Sequence, residues 1–385
     1  MGVGCTALSF AAENGSEHRK KGVDITDDSL RPAVTSAVTF GDVRFLELVH
    51  EKCKLGQPNW RYGGTVLQRA AGRGDMAVVK WLLSQPVGVD AANYDKGTAL
   101  MLAVYRRNAA VVEQLLQHGA RLDARDLNRA TALHWALLRW TDPSLEIFNC
   151  DSTLGVDLKR GLPVTSNIVK MLVEAGADLE AKNAMDETPL ARAATNGSES
   201  AVRLLLEKGA NVESRDKSGF VPLLSAAWKG HTAVVCLLLE YGAKIDSTNG
   251  NDNTALMLAA DNGHHETILS LLARSAEINR VNHAHQTALS CAAEKGHDKT
   301  VETLLQYGAE VDLPDHTGRT PILCAVQNEH ERCVELLVPC ADVTRGDIEG
   351  RTPLWWASKR DQRNSRKSHD AVIRILYDRH PAARS

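Results

Sequence analysis

The feature that most constrains this chain is a repeat. The pattern Thr-x-Leu-x-x-Ala begins at Thr6, Thr65, Thr98, Thr131, Thr188, Thr254, Thr287 and Thr352, with Ile in place of Leu in the copy at Thr320 and weaker copies at Pro32 and Val221. Seven of the intervals between successive starts are 33 residues, and the others are 26, 57 and 32. A fixed period of this size specifies a stack of small supersecondary units with one continuous core, not a set of independent domains.

Each copy reads as a pair of short helices. In the copy at Thr188, the Thr is an N-cap and Pro189 takes the first helical position, where a missing N–H is harmless. Leu190, Ala193 and Ala194 form a small apolar face, and Gly197 ends the helix in the left-handed region. A second helix carries Val202, Leu205 and Leu206 and closes at Gly209-Ala210, after which Asp216 and Gly219 mark a turn. Helices of about 8–10 residues do not hold together alone in water. Neighbouring copies must therefore cover one another, with the Ala pair allowing the inner helices to approach closely.

These units resemble ankyrin repeats. Thr188-Pro189-Leu190, Thr320-Pro321-Ile322 and Thr352-Pro353-Leu354 are similar to the opening triplet of that family. Asn262-Gly263-His264 and Lys295-Gly296-His297 match its inter-helix turn, and Tyr241-Gly242-Ala243 and Tyr307-Gly308-Ala309 its closing Gly-Ala. The family histidine that follows the Leu survives as His134. The resemblance implies an all-α ankyrin-repeat solenoid of eleven repeats, in which helix-turn-helix units are linked by hairpin loops. It divides the chain into a degenerate N-terminal capping repeat at 1–31, a continuous array at 32–343 and a C-terminal capping repeat at 344–385. Ankyrin arrays serve as adaptors, inhibitors and targeting modules, so the expected function is non-catalytic binding of a partner protein.

Composition narrows the partners. Lys and Arg total 45 against 48 Asp and Glu, a formal charge of −3, which lacks the field of a general nucleic-acid coat. No apolar run approaches the roughly 18 residues of a spanning helix, so a membrane is not an expected partner. Eight cysteines without a Cys-x-x-Cys pair fit a reduced, intracellular chain, cytoplasmic or nuclear and monomeric outside its complexes.

Three segments depart from the period. The 57-residue interval places an insertion at 140–165, between the two helices of repeat five, with Trp140, Phe148, Cys150 and Pro163 in it. It reads as a surface loop, or as an ordered loop with its own contact site. The last repeat carries a basic loop at 358–368, including Lys359, Arg360, Arg363, Arg366 and Lys367. That run is either a solvated loop or a nuclear address, the latter fitting a coregulator that docks on a transcription factor. A regulatory or targeting subunit of an enzyme is a second alternative. At the N-terminus, Gly2 and Cys5 fit an acylation pattern, yet Gly4-Cys5-Thr6 is also an ordinary repeat opening.

Catalytic, cofactor and metal sites are not expected. His231, His264, His297 and His330 stand in register, but neighbouring repeats lie about 8–10 Å apart, too far for zinc ligands to converge. They read as turn residues that support stacking. Cys291 and Cys324 share one repeat position and read as small hydrophobes.

The binding surface is expected where repeats differ, on a concave face lined by first helices and hairpin tips. The fifth residue of each first helix gives Arg69, Leu102, Trp135, Arg192, Ser225 and Leu258. Three and four residues later come Tyr105, Trp228, Asp261 and Glu294, then Arg73, Arg106, Arg139 and Lys229; the hairpin tips add Arg125, Lys182 and Arg215. Repeats three to seven thus interleave Arg and Lys with Tyr105, Trp135 and Trp228, the residue types of binding hot spots. An acidic segment of a partner protein is the ligand this pattern fits. The helix macrodipole alone also favours cations such as Arg73, Arg106 and Lys229 in a last turn.

Overall fold

The computed structural model describes residue 43 and residues 66–138, 166–359 and 366–379. The capping repeat at 1–31, Arg139, the insertion at 140–165 and the 360–365 part of the basic loop lie outside the described residues. Two compact units divide the chain, Met1–Pro189 and Leu190–Ser385.

In the first unit the first helices of successive repeats are α1 (Val66–Arg73), α3 (Ala99–Tyr105) and α5 (Ala132–Ala136). The second helices are α2 (Met76–Leu83), α4 (Ala109–Gln117) and α6 (Ser166–Glu174). First helices pack on first helices and second on second. Thr98 caps α3, its hydroxyl accepting from the Met101 N–H at 3.3 Å. Ala70, Ala71, Ala103 and Val104 are fully or almost fully buried, which is the close approach the small residues permit. His134 accepts the Thr131 N–H on Nδ1 at 3.2 Å, so Nε2 carries the proton and donates to the Glu187 carbonyl at 3.1 Å. Two repeats earlier Gln68 makes the same reach, its amide donating to the carbonyls of Ala91 and Gly97 at 2.8 and 2.7 Å. This rung thus occurs twice among the described residues of the unit, once by a different side chain with a donor at similar reach.

The second unit contains α7 (Pro189–Asn196), α9 (Pro222–Lys229), α11 (Ala255–Asp261), α13 (Ala288–Lys295), α15 (Pro321–Gln327) and α17 (Pro353–Ser358) as first helices. Their partners are α8 (Glu199–Glu207), α10 (Thr232–Glu240), α12 (His265–Leu272), α14 (Asp298–Gln306), α16 (Glu331–Leu337) and α18 (Arg366–Arg379). Helices and turns account for the described residues of both units; the β-structure among them is one isolated bridge, Thr248 to Thr254.

Three ladders stitch these repeats. Along the hairpin tips, the backbone N–H of Gly250, His283, His316 and Ile348 donates to Ser218, Asn251, Ala284 and Thr317 at 2.9–3.1 Å. At the loops beyond the second helices, side chains of one repeat accept backbone N–H groups of the next: Glu213 from Lys244 at 2.8 Å, Asp246 from Glu277 at 3.0 Å and Asn279 from Glu310 at 2.9 Å. The third ladder is the histidine register. His231, His264, His297 and His330 direct Nε2 at the carbonyls of Thr195, Trp228, Asp261 and Glu294, all at 3.0–3.1 Å. A carbonyl only accepts, so each Nε2 is the protonated nitrogen. These histidines have the stacking role expected from their register. Each ring lies against the glycine that ends the preceding first helix: a Cβ on Gly263 would stand 2.6 Å from Nδ1 of His297.

Candidate partner-binding face

Among the described residues every hairpin opens on an Asp or Asn whose oxygen accepts the N–H four residues on, as Asp216 does from Phe220 at 2.8 Å. This turn folds the hairpin back over the fifth position of the first helix. The consequence corrects one expectation. Trp135 is only 3% exposed, because its indole N–H donates to Asp126 at 3.0 Å and its ring meets the edge of Tyr105 at 5.7 Å. It is a packing residue and not an exposed anchor. Ser225, Leu258, Cys291 and Cys324 occupy the same column and are also buried. Burial pushes the thiols of Cys291 and Cys324 up to about 12, which keeps them protonated and unreactive near neutral pH. Arg69 and Arg192 of this column are half-buried.

At two hairpins the opening Asp also receives a hydrogen from a Trp of the first helix, whereas Asp216 precedes Ser225 and Asn183 precedes Arg192. Asp126 faces Trp135, and Asp347 faces the Trp356 indole at 3.1 Å and the Arg351 guanidinium at 2.8 Å. Asn93, Asn249 and Asn282 precede Leu102, Leu258 and Cys291, which offer no indole or guanidinium hydrogen. Burial raises the Asp126 carboxyl, outweighing the hydrogen bonds from Ala130 and Trp135. At Asp347 burial pushes in the same direction, but hydrogen bonds from Arg351 and Trp356 prevail and the carboxyl is lowered.

The hairpin cations are placed differently from the sequence pattern as well. Arg125 donates to the Lys182 carbonyl at 3.0 Å, and Arg215 donates to Gly219 and Thr248 at 2.8 and 2.6 Å. Both side chains are exposed, yet each clamps the following hairpin. Lys182 is half-buried.

What stands outward is the end of the first helices. In the first unit, Arg73 is exposed at the end of α1, and the Arg106 guanidinium lies over the Tyr105 ring at 5.6 Å. Burial raises the Tyr105 hydroxyl against the opposing pull of Arg106. In the second unit, Trp228 is 42% exposed, with the Lys229 ammonium 4.0 Å from its ring centre and Phe220 edge-on at 6.3 Å. Arg106 and Lys229 make no ion pair among the described residues. The acidic positions of the next two repeats are already answered: Asp261 faces Lys295 at 3.8 Å, and Glu294 faces Arg319 at 4.0 Å.

Two features escaped the sequence reading. In the last repeat Trp355, 40% exposed, stacks edge-on against Trp356 at 5.1 Å, with Lys359 4.9 Å from its ring. The adjacent tryptophans were the available signal. The other is Arg107, which stands where most repeats place the helix-ending glycine.

Among the described residues no three His, Cys, Asp or Glu side chains form a group able to hold a metal, and no helix is long and apolar enough to cross a membrane. The helix pairs, hairpin ladder and side-chain rungs define a repeat protein of stacked helix-turn-helix units. The family described as ankyrin repeats, in sets of three copies, matches residues 34–126, 67–147, 163–249, 243–315 and 308–382, and the chain belongs to the ankyrin repeat family. No curated protein matches it. Ankyrin repeats are generic protein–protein interaction modules and are generally non-catalytic.

Proposed function

We propose that this chain acts by binding a partner protein, without catalysis of its own, through the basic-aromatic ends of its first helices. The patches are Tyr105 and Arg106 in the first unit and Trp228 and Lys229 in the second, which also carries the Trp355–Lys359 pair of the last repeat. The observation that carries this reading is shared by both units. A cation lies over an aromatic ring at a helix end and has no carboxylate partner among the described residues. A ring-bound cation is partly desolvated and pre-positioned, so an incoming carboxylate gains charge while the ring supplies apolar contact. The macrodipole accounts for a cation in the last turn but not for the exposed indole beside it. The ligand is therefore an acidic polypeptide segment bearing apolar side chains.

Affinity capture with crosslinking from native lysate tests this. Wild type is compared with a variant carrying Arg106→Glu, Trp228→Ala and Lys229→Glu, with circular dichroism confirming equal helicity. The expected result is a partner retained by wild type and lost by the variant, since charge reversal at a contact both removes attraction and adds repulsion. Identical partner sets for the two baits contradict the reading.

A further inference from the structure

Arg107 occupies a backbone position that the rest of the array assigns to glycine. Its φ is 58°, in the left-handed region, where Gly74, Gly197, Gly230, Gly263 and Gly296 of the other repeats have φ of 69–78°. Glu329 is the other described departure, at 59°. An L-residue here is disfavoured, and the side chain adds a second disadvantage. Its Nε is buried and has no hydrogen-bond partner. Among the described residues the guanidinium reaches only the Leu138 carbonyl, from Nη2 at a long 3.4 Å. No carboxylate among the described residues pairs with it, and burial lowers its affinity for its proton. A half-buried cation with an orphaned donor at a position suited to glycine is destabilising for the free chain. Such departures from local rules concentrate where a ligand later compensates them.

We infer that Arg107 is the carboxylate-docking residue of the first unit, and that Arg106 and Tyr105 flank the Asp or Glu side chain it receives. This rests on the reading that the face binds acidic polypeptide. A carboxylate matches a guanidinium edge with two parallel hydrogen bonds, which a lysine or histidine could not offer. Leaving the long Leu138 contact frees both Nη2 and Nε for that pairing. Arg107 is half-exposed, so the exchange needs a side-chain rotation and no movement of the helices. Arg106, held over Tyr105, supplies a second positive charge to the same side chain.

The test uses the full chain and a fluorescein-labelled twelve-residue peptide of alternating Glu and Leu, with a Gln-and-Leu peptide as its neutral counterpart. Anisotropy gives affinity and circular dichroism gives the melting temperature. Arg107→Gly and Arg107→Asn both suit a left-handed backbone, so neither should impair folding. Wild type is expected to prefer the Glu peptide. Each variant should bind that peptide about tenfold more weakly, the effect of losing one charge-assisted contact, while melting at or above the wild-type temperature. If the variants keep wild-type affinity, or melt lower than wild type, Arg107 is a structural clamp on Leu138 and the inference fails. If wild type itself does not distinguish Glu from Gln, the acidic-partner reading fails, and the docking role of Arg107 with it.

Discussion

Gly263→Ala lowers the stability of the second unit by about 2–3 kcal/mol, from two sources that separate experimentally. An L-residue at φ 69° costs about 1–2 kcal/mol. The added Cβ would also stand 2.6 Å from Nδ1 and 2.9 Å from Cγ of His297, so the whole ring must move and its bond to Asp261 is lost. That bond is worth about 1 kcal/mol. Gly308→Ala is the control, because Gly308 has φ 81° but nothing within 4 Å of the added carbon. It should lose only the backbone part. In a His297→Ala background, the difference between the two glycine positions should shrink toward zero, and urea denaturation of the four single and double variants reads that coupling. Equal losses at Gly263 and Gly308 in the wild-type background would show that the glycine–histidine seam does not hold the repeats together.

Trp135→Ala is expected to cost the first unit about 3–5 kcal/mol, the range for emptying a large buried aromatic site. Trp228→Ala should stay within about 0.5 kcal/mol, as surface changes usually do. The contrast follows from 3% against 42% exposure of the two indoles. The Asp126–Trp135 bond gives a finer test. Asp126→Asn can keep the Ala130 N–H on its remaining oxygen but then turns an amide NH2 toward the indole N–H, two donors face to face. An unsatisfied buried donor costs about 1–3 kcal/mol. In a Trp135→Leu background, which reproduces the native pairing of Asn93 with Leu102, the same Asp-to-Asn change should cost much less. Midpoints of chemical denaturation measure both effects; an Asp126→Asn cost independent of residue 135 would show that the indole bond does not select Asp at 126.

The division between what the sequence disclosed and what it concealed follows from the range of the interactions involved. Repeat register, helix caps and the glycine at Gly197 depend on neighbours within a few residues, and all are legible from spacing. So is the stacking role of His231 and its equivalents, because an invariant offset from a glycine repeats four times. Trp135 was misplaced because its exposure is decided by a hairpin that closes over it from nine residues upstream, through Asp126. Periodicity places a residue on a helix face but does not tell which part of that face a turn covers. Arg125 and Arg215 read as ligand cations because carbonyl acceptors leave no signature in a sequence. Arg107 went unnoticed for a related reason: a glycine replaced in a degenerate repeat looks like drift until its φ and its orphaned Nε are known. The basic-aromatic helix ends, Tyr105-Arg106 and Trp228-Lys229, were visible as adjacent residues, and the structure adds the ring contacts between them.

The binding face is tested most directly by hydrogen exchange on the full chain, free and with its captured partner. Binding at the first-helix ends predicts slowed exchange in the peptides around Tyr105–Arg107 and Trp228–Lys229, with the exposed sides of the second helices, around Lys170 and Arg203, unchanged. Protection confined to the second helices, with the Tyr105 and Trp228 segments exchanging as in the free chain, would contradict it.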